Sequence, residues 1–183
     1  MKPAGLRIGA GGLRGRRLDV PAGIRPSEGK IKEALFSIWG GALDGATFLD
    51  LFAGSGAVGI EAVSRGALHS TFVEMRRQVA GVLKRNLQLL PPSAWRLRVE
   101  TAESALVAEI AAGTTFDLLF VDPPYRHEVD AGLLEPCAAV LAPDGRIAVE
   151  HDARSRPPLE TASLVRVETR RYGESALSFY ARG

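Results

Sequence analysis

Two short stretches carry residue types and spacings that could do chemistry. One is V-D-P-P-Y at residues 121–125. Two consecutive prolines fix the backbone and remove N–H groups, which leaves carbonyls free to accept. Asp122 adds a carboxylate acceptor, and Tyr125 adds a flat aromatic face. Together Asp122, Pro123, Pro124 and Tyr125 suit a planar base that carries an exocyclic amine. The amine would donate to Asp122 and to the Pro123 carbonyl while the ring stacks on Tyr125. Such an amine is a poor nucleophile, because its lone pair is delocalised into the ring. Hydrogen bonds from its two N–H groups to fixed acceptors pull the nitrogen towards pyramidal geometry and free the lone pair. A methyl donor then need only be held in line at near-attack distance, and no metal is needed.

The other stretch is D-L-F-A-G-S-G-A-V-G at residues 50–59. Gly54, Gly56 and Gly59 have G-x-G-x-x-G spacing after an apolar run (Phe48, Leu49, Leu51, Phe52) and before an apolar-periodic segment (Ile60, Val63, Ala67). Strand, glycine turn and helix make the first half of a nucleotide-binding βα unit. A side chain in the turn would hold a ligand away from the backbone. Asp50 lies inside the strand, where a carboxylate is costly without partners. Glu74 ends the next apolar run, at the spacing that puts an acid beside a ribose. A dinucleotide would need the helix N-terminus for its pyrophosphate. S-adenosylmethionine instead offers an ammonium, which Asp50 could engage and a pyrophosphate site would avoid.

The elements that must hold these stretches alternate. Hydrophobic patterning predicts strands over residues 70–74, 97–100, 116–121 and 146–150, and helices over 76–90, about 102–112 and 130–141. The apolar 116–121 run reads as a central strand of a parallel sheet, with a P-D-G turn at 143–145. Residues 164–172 and 176–180 flank Gly173-Glu174-Ser175 and read as an antiparallel hairpin. The expected fold is one doubly wound, mostly parallel α/β sheet closed by that hairpin. Before the core, residues 6–20 read as two short strands around a glycine-rich turn. A helix follows, with Ser27 as N-cap, Ile31, Leu35 and Ile38 inward, and Gly40-Gly41 as its stop. The whole chain, 1–183, is expected to be a single domain: a basic hairpin and helix over 1–39 and a cofactor-binding core over 46–183.

The chain has 183 residues, 46% hydrophobic and 24% charged, with one cysteine. This is ordinary for a soluble globular domain with a sizeable core. A single Cys137 excludes an internal disulfide, no metal-ligand cluster is visible, and no run is long enough to span a bilayer. A cytoplasmic location is the default, and a monomer is the expected state. Net charge is +2, unevenly spread: residues 1–35 carry +5 and the remainder −3. That asymmetry points to a basic arm that meets a polyanion. Its cations are Arg7, Arg14, Arg16, Arg17, Arg25, Lys30 and Lys32.

Taken together, the chain resembles the bacterial small-subunit ribosomal RNA guanine-N2 methyltransferases, the family named for methylase D of 16S rRNA. The resemblance runs through G-G-L-R-G-R-R-L at residues 11–18, R-P-S-E-G-K-I-K-E-A-L-F at 25–36, F-L-D-L-F-A-G-S-G-A-V-G-I-E-A-V-S-R-G-A at 48–67, F-V-E at 72–74, F-V-D-P-P-Y at 120–125 and Y-G at 172–173. It implies S-adenosylmethionine as donor and a guanine of ribosomal RNA as acceptor. It implies cofactor contacts along Asp50, Phe52, Ala53, Gly54, Gly56, Glu74, Met75, Thr101, Ala102 and Asp122. Thr101-Ala102 departs from the family, which has an Asp or another polar residue before that alanine, and Gly29 replaces an Asp in the first helical turn. Rival readings are a DNA adenine or cytosine amino-methyltransferase, for which 183 residues leave little room for a target-recognition domain, and a protein glutamine methyltransferase, whose motif is N-P-P-Y. A non-catalytic RNA-binding assembly protein on the same scaffold is a third.

Overall fold

The apolar run before the glycines forms β1 (Thr47–Asp50), the centre of the sheet. A computed structural model describes residues 6–21, 29–124 and 129–183. Its elements are α1 (Gly29–Trp39), β1, α2 (Ala57–Ser64), β2 (His69–Val73), α3 (Arg77–Asn86), β3 (Trp95–Arg98), α4 (Ala102–Ala111), β4 (Phe116–Val121), α5 (Ala131–Ala139), β5 (Leu141–Asp152), β6 (Leu164–Tyr172) and β7 (Ser175–Arg182). These seven strands form one sheet in the order β3-β2-β1-β4-β5-β7-β6. All neighbours from β3 to β5 are parallel, and β7 pairs antiparallel with both β5 and β6. The doubly wound α/β expectation holds, with the terminal hairpin as the antiparallel end.

Strand alternation sorts the central residues onto two faces. Phe48, Leu118, Phe120 and Ala148 pack under α1 and α2 with Ile31, Leu35, Phe36, Val58 and Ala62. Leu49, Leu119, Val121, Ile147 and Val149 pack on the opposite face with Ala105 and Leu106 of α4 and Leu134 and Cys137 of α5. Each central strand is therefore apolar on both sides, as burial in a three-layer sandwich requires. Among the described residues no helix is long and apolar enough to cross a membrane.

Some boundaries differ from the sequence reading for identifiable reasons. The strand before the glycines stops at Asp50, because Leu51 and Phe52 already belong to the turn. The P-D-G sequence is a bulge within β5: Leu141 pairs with Phe116, and the ladder resumes only at Arg146 opposite Leu118. After Trp39 the chain tightens into a 3-10 turn, Gly40–Leu43, instead of stopping at the two glycines. The expected N-cap, Ser27, lies outside the described residues. The two N-terminal strands reduce to a single antiparallel bridge between Arg7 and Arg17.

That N-terminal hairpin is docked, not loose. Ile8 and Leu18 are buried against Ile60 of α2, Phe72 of β2 and Leu83 of α3. The Ser64 hydroxyl accepts from Leu13 N–H at 2.9 Å and donates to the Ala10 carbonyl at 2.6 Å. At Gly11, φ is +78° and an added Cβ would lie 1.7 Å from the Ser64 carbonyl oxygen, so only glycine fits. Beneath the hairpin, fully buried Glu61 accepts from Lys32 Nζ at 2.6 Å, from Gly9 N–H at 3.0 Å and from Arg65 at 2.7 and 2.9 Å. One carboxylate thus ties α1, α2 and the hairpin together.

Candidate active site

Asp50 is the last residue of β1, and its side chain is 1% exposed. Its Oδ2 accepts the Gly59 N–H at 3.0 Å. Gly59 lies in the first turn of α2, whose N–H groups lack intrahelical partners, so the strand acid caps the helix from below. The helix can come this close because Gly59 has no side chain: a Cβ there would lie 2.4 Å from the Phe72 ring and 2.7 Å from Ser70 Oγ. Burial pushes the Asp50 carboxyl up to about 7; the Gly59 hydrogen bond opposes the shift, and the charges of Asp122 and Glu74 add to it. An opposite charge that reaches this carboxyl would favour its ionised form.

The turn itself is held by Glu74, immediately after β2 and 6% exposed. Its Oε2 accepts from Gly54 N–H at 3.2 Å and its Oε1 from Arg76 N–H at 2.8 Å. Gly54 and Gly56 both have positive φ, +54° and +82°. Just before α4, Thr101 caps that helix, its hydroxyl accepting from Ser104 N–H at 3.2 Å. The threonine at that point thus serves the helix, and Ala102 behind it is buried.

All of this opens on one cleft of about 1140 Å³ along the carboxyl ends of the parallel strands, where open α/β sheets bind ligands. Asp50, Phe52, Ala53, Gly54, Glu74, Met75, Thr101 and Ala102 line one end, and Asp122, Pro123 and Pro124 line its middle. Of the expected cofactor positions, Gly56 alone does not line it. Its place is taken by Ser55, while Gly56 begins α2, with Leu83 2.4 Å from where its Cβ would be. Tyr125 lies outside the described residues.

The chain matches, over residues 6–181, the model of the family described as Conserved hypothetical protein 95. A curated relative, the ribosomal RNA small subunit methyltransferase D of Escherichia coli, is 40% identical over 147 residues, covering 79% of this chain and 71% of that protein. The chain belongs to this methyltransferase D family. A Bacillus subtilis member, "Putative rRNA methyltransferase YlbH", is 36% identical over 182 residues, 97% of this chain and 99% of the relative. Among solved structures, "Putative methyltransferase yhhF" of Escherichia coli is 36% identical with a TM-score of 0.81, covering 96% and 97% of the two chains.

Within this family frame, the cations of the N-terminal arm divide. Arg7, Arg14, Arg16 and Arg17 are exposed on the hairpin, and Lys30 is exposed on α1. Arg7 donates to the Gly15 carbonyl at 2.6 Å, within the hairpin. Lys32 must be withdrawn as an RNA contact: it is 4% exposed, and its ammonium is held by Glu61 and the Arg7 carbonyl. Helical spacing turns Lys32 inward beside Ile31 and Leu35, and the acid that neutralises it lies 29 positions away, out of reach of any local pattern. Arg25 lies outside the described residues.

The far wall of the cleft was missed. Glu150, His151, Asp152, Ser155 and Arg156 line it, from the end of β5 and the loop beyond. The sequence does carry a signal for Glu150: it ends the expected strand 146–150, and the carboxyl ends of parallel strands feed the crevice. Asn86 was also missed. Its amide reaches the Ser55 carbonyl at 2.8 Å and the Asp19 carbonyl at 3.0 Å, joining the glycine turn to the hairpin.

Proposed function

We propose that this protein transfers a methyl group from S-adenosylmethionine to the exocyclic N2 amine of a guanine in small-subunit ribosomal RNA. The observation that carries the reading is that the glycine turn and the D-P-P turn open on one cleft, with the buried Asp50 carboxyl at its base. The residues present suit this cofactor. Asp50 offers a carboxylate to the ammonium, the Gly54–Gly56 turn lets a ligand approach the backbone, and Glu74 offers acceptors to the ribose. When bound, the cofactor supplies an electrophilic methyl on a sulfonium.

The chain's own part is to bind, orient and accept. Asp122 and the Pro123 carbonyl take hydrogen bonds from the amine and draw its nitrogen towards pyramidal geometry. The lone pair so freed would take the methyl that the bound cofactor would supply. The extra proton on nitrogen passes to the Asp122 carboxylate and on to water. Positioning carries most of the rate, since a near-attack arrangement supplies roughly 7–11 kcal/mol. The exposed arginines of the hairpin hold the RNA backbone, and the enzyme works in the cytoplasm as a monomer. Two of its relatives are named as ribosomal RNA methyltransferases, which favours RNA over DNA as the acceptor.

The test is transfer of labelled methyl to undermodified small-subunit RNA and to the assembling subunit, followed by digestion to nucleosides. Label in N2-methylguanosine is expected. Label only in adenosine or cytidine, or none in either substrate, refutes the reading.

A further inference from the structure

Three acids line the cleft at the carboxyl ends of adjacent strands. Asp50 stands level with Phe120, and Phe120 with Ala148, across β1, β4 and β5. Asp122 and Glu150 each lie two residues further on, directly after the paired Val121 and Val149. Period-two alternation puts Asp50 and Glu150 on the same side, the side of Phe48, Phe120 and Ala148, and the charge of Asp122, in the turn after β4, reaches Asp50. The residues just before Asp122 and Glu150, Val121 and Val149, are paired across one strand spacing, about 4.8 Å. Asp122 and Glu150 both line the cleft, and Glu150 is 9% exposed. His151 beside it meets Ser178 Oγ through Nε2 at 2.8 Å.

The order across the sheet matches the order of a reaction. Asp50 and the glycine turn lie at the donor end, the D-P-P turn at the amine, and Glu150 where the rest of the base must go. Guanine presents two adjacent donors, N1–H and the N2 amine. Adenine and cytosine each place a ring acceptor beside their amine. A second carboxylate beside Asp122 therefore favours guanine and repels the other two. Each carboxylate offers about four acceptor sites, so contacts within the protein leave room for a base.

We propose that Glu150 is the guanine-selecting residue: its carboxylate accepts the N1–H while Asp122 and the Pro123 carbonyl hold the N2 amine. This rests on the reading of the cleft as a guanine-N2 methylation site and assigns the selectivity to a side chain in it. A site built to hydrogen-bond a donor discriminates strongly against an analogue that lacks it, because its acceptor is then left facing another acceptor.

The experiment uses the full chain saturated with S-adenosylhomocysteine, and two nucleotides as probes. One is guanosine 5′-monophosphate. The other is the 2-aminopurine ribonucleotide, which keeps the amine but has an acceptor at N1. Wild type should prefer the guanine nucleotide by about 10- to 100-fold, the range for a hydrogen bond to a charged group. Glu150→Gln, whose amide can donate to N1, should lose most of that preference while keeping its melting temperature and its affinity for S-adenosylhomocysteine. In the transfer assay on small-subunit RNA, kcat/KM for Glu150→Gln should fall by about the same factor. Equal preference in wild type and variant, or wild-type transfer by the variant, overturns the proposal. If wild type transfers nothing to ribosomal RNA but shows the Glu150-dependent preference, the RNA assignment falls and Glu150 as a guanine reader stands. Should Glu150→Gln melt early, Glu150→Asp, with the same charge on a shorter stem, replaces it, and a preference undiminished in that variant overturns the proposal.

Discussion

Replacing Asp50 with asparagine keeps the acceptor for Gly59 N–H and removes the ionisation. In the empty protein the carboxyl is raised from 3.8 to about 7, chiefly by burial. A raised acid is favoured while protonated, so its contribution to stability is complete below about pH 4 and is lost as pH rises through 7. The three-unit shift corresponds to about 4 kcal/mol at 1.36 kcal/mol per unit. Wild type should therefore lose stability relative to Asp50→Asn between about pH 4 and 7 when no ligand is present. Binding runs the other way. The ligand's ammonium prefers the carboxylate, so below pH 7 a proton must leave Asp50 first. The dissociation constant of S-adenosylhomocysteine for wild type should rise about tenfold per pH unit, roughly 30-fold by pH 5.5, or about 2 kcal/mol. Asp50→Asn should bind more weakly at pH 7.5 and show a nearly flat profile. Calorimetry at pH 5.5, 6.5 and 7.5, in two buffers of different ionisation heat, reads both the affinity and the proton released. Parallel profiles for wild type and variant would refute the claim that Asp50 meets the ammonium.

Glu61→Ala leaves the buried Lys32 ammonium without its acid. Breaking a buried ion pair this way costs roughly 3–5 kcal/mol, which a melting curve would read as a drop of roughly 6–20 °C; a change under 2 °C would mean the pair is not what locks α1 to α2. Glu74→Ala should weaken S-adenosylhomocysteine binding by roughly 1.5–3 kcal/mol, and it should also lower the melting temperature of the empty protein, because the same carboxylate accepts Gly54 and Arg76 N–H. An unchanged dissociation constant would leave Glu74 as a brace of the turn alone. The triple variant Arg14/Arg16/Arg17→Ala should bind RNA more weakly, with a salt slope shallower by roughly 2–3 units and cofactor affinity intact. Salt curves that superimpose on wild type would move the RNA contact away from the hairpin.

How far the site was legible follows from how local its physics is. The glycine turn, the strand before it and the acid after it obey rules that act within 25 residues, and the structure has each near its expected place. Phe116–Val121 was legible for the same reason: an uninterrupted apolar run beside a D-P-P turn has few alternatives. The P-D-G bulge was not, because whether such a sequence ends a strand or merely interrupts it depends on what the partner strand offers on either side. Here Phe116 and Leu118 both offer a ladder, so β5 begins before the bulge. Lys32 and Glu61 mark the limit more sharply. A lysine on an amphipathic helix reads as solvated, and an acid in the next helix reads as surface. Their mutual burial needs two helices and a hairpin packed together. Even the placing of Asp50 depends on this assembly. Asp50 can be both buried and close to a helix N-terminus only because Gly59 lets α2 settle on β2. The hairpin holds α2 from above through Ser64 and Glu61. A basic arm attached to the helix that follows the glycine turn therefore sits at a fixed place relative to the cleft.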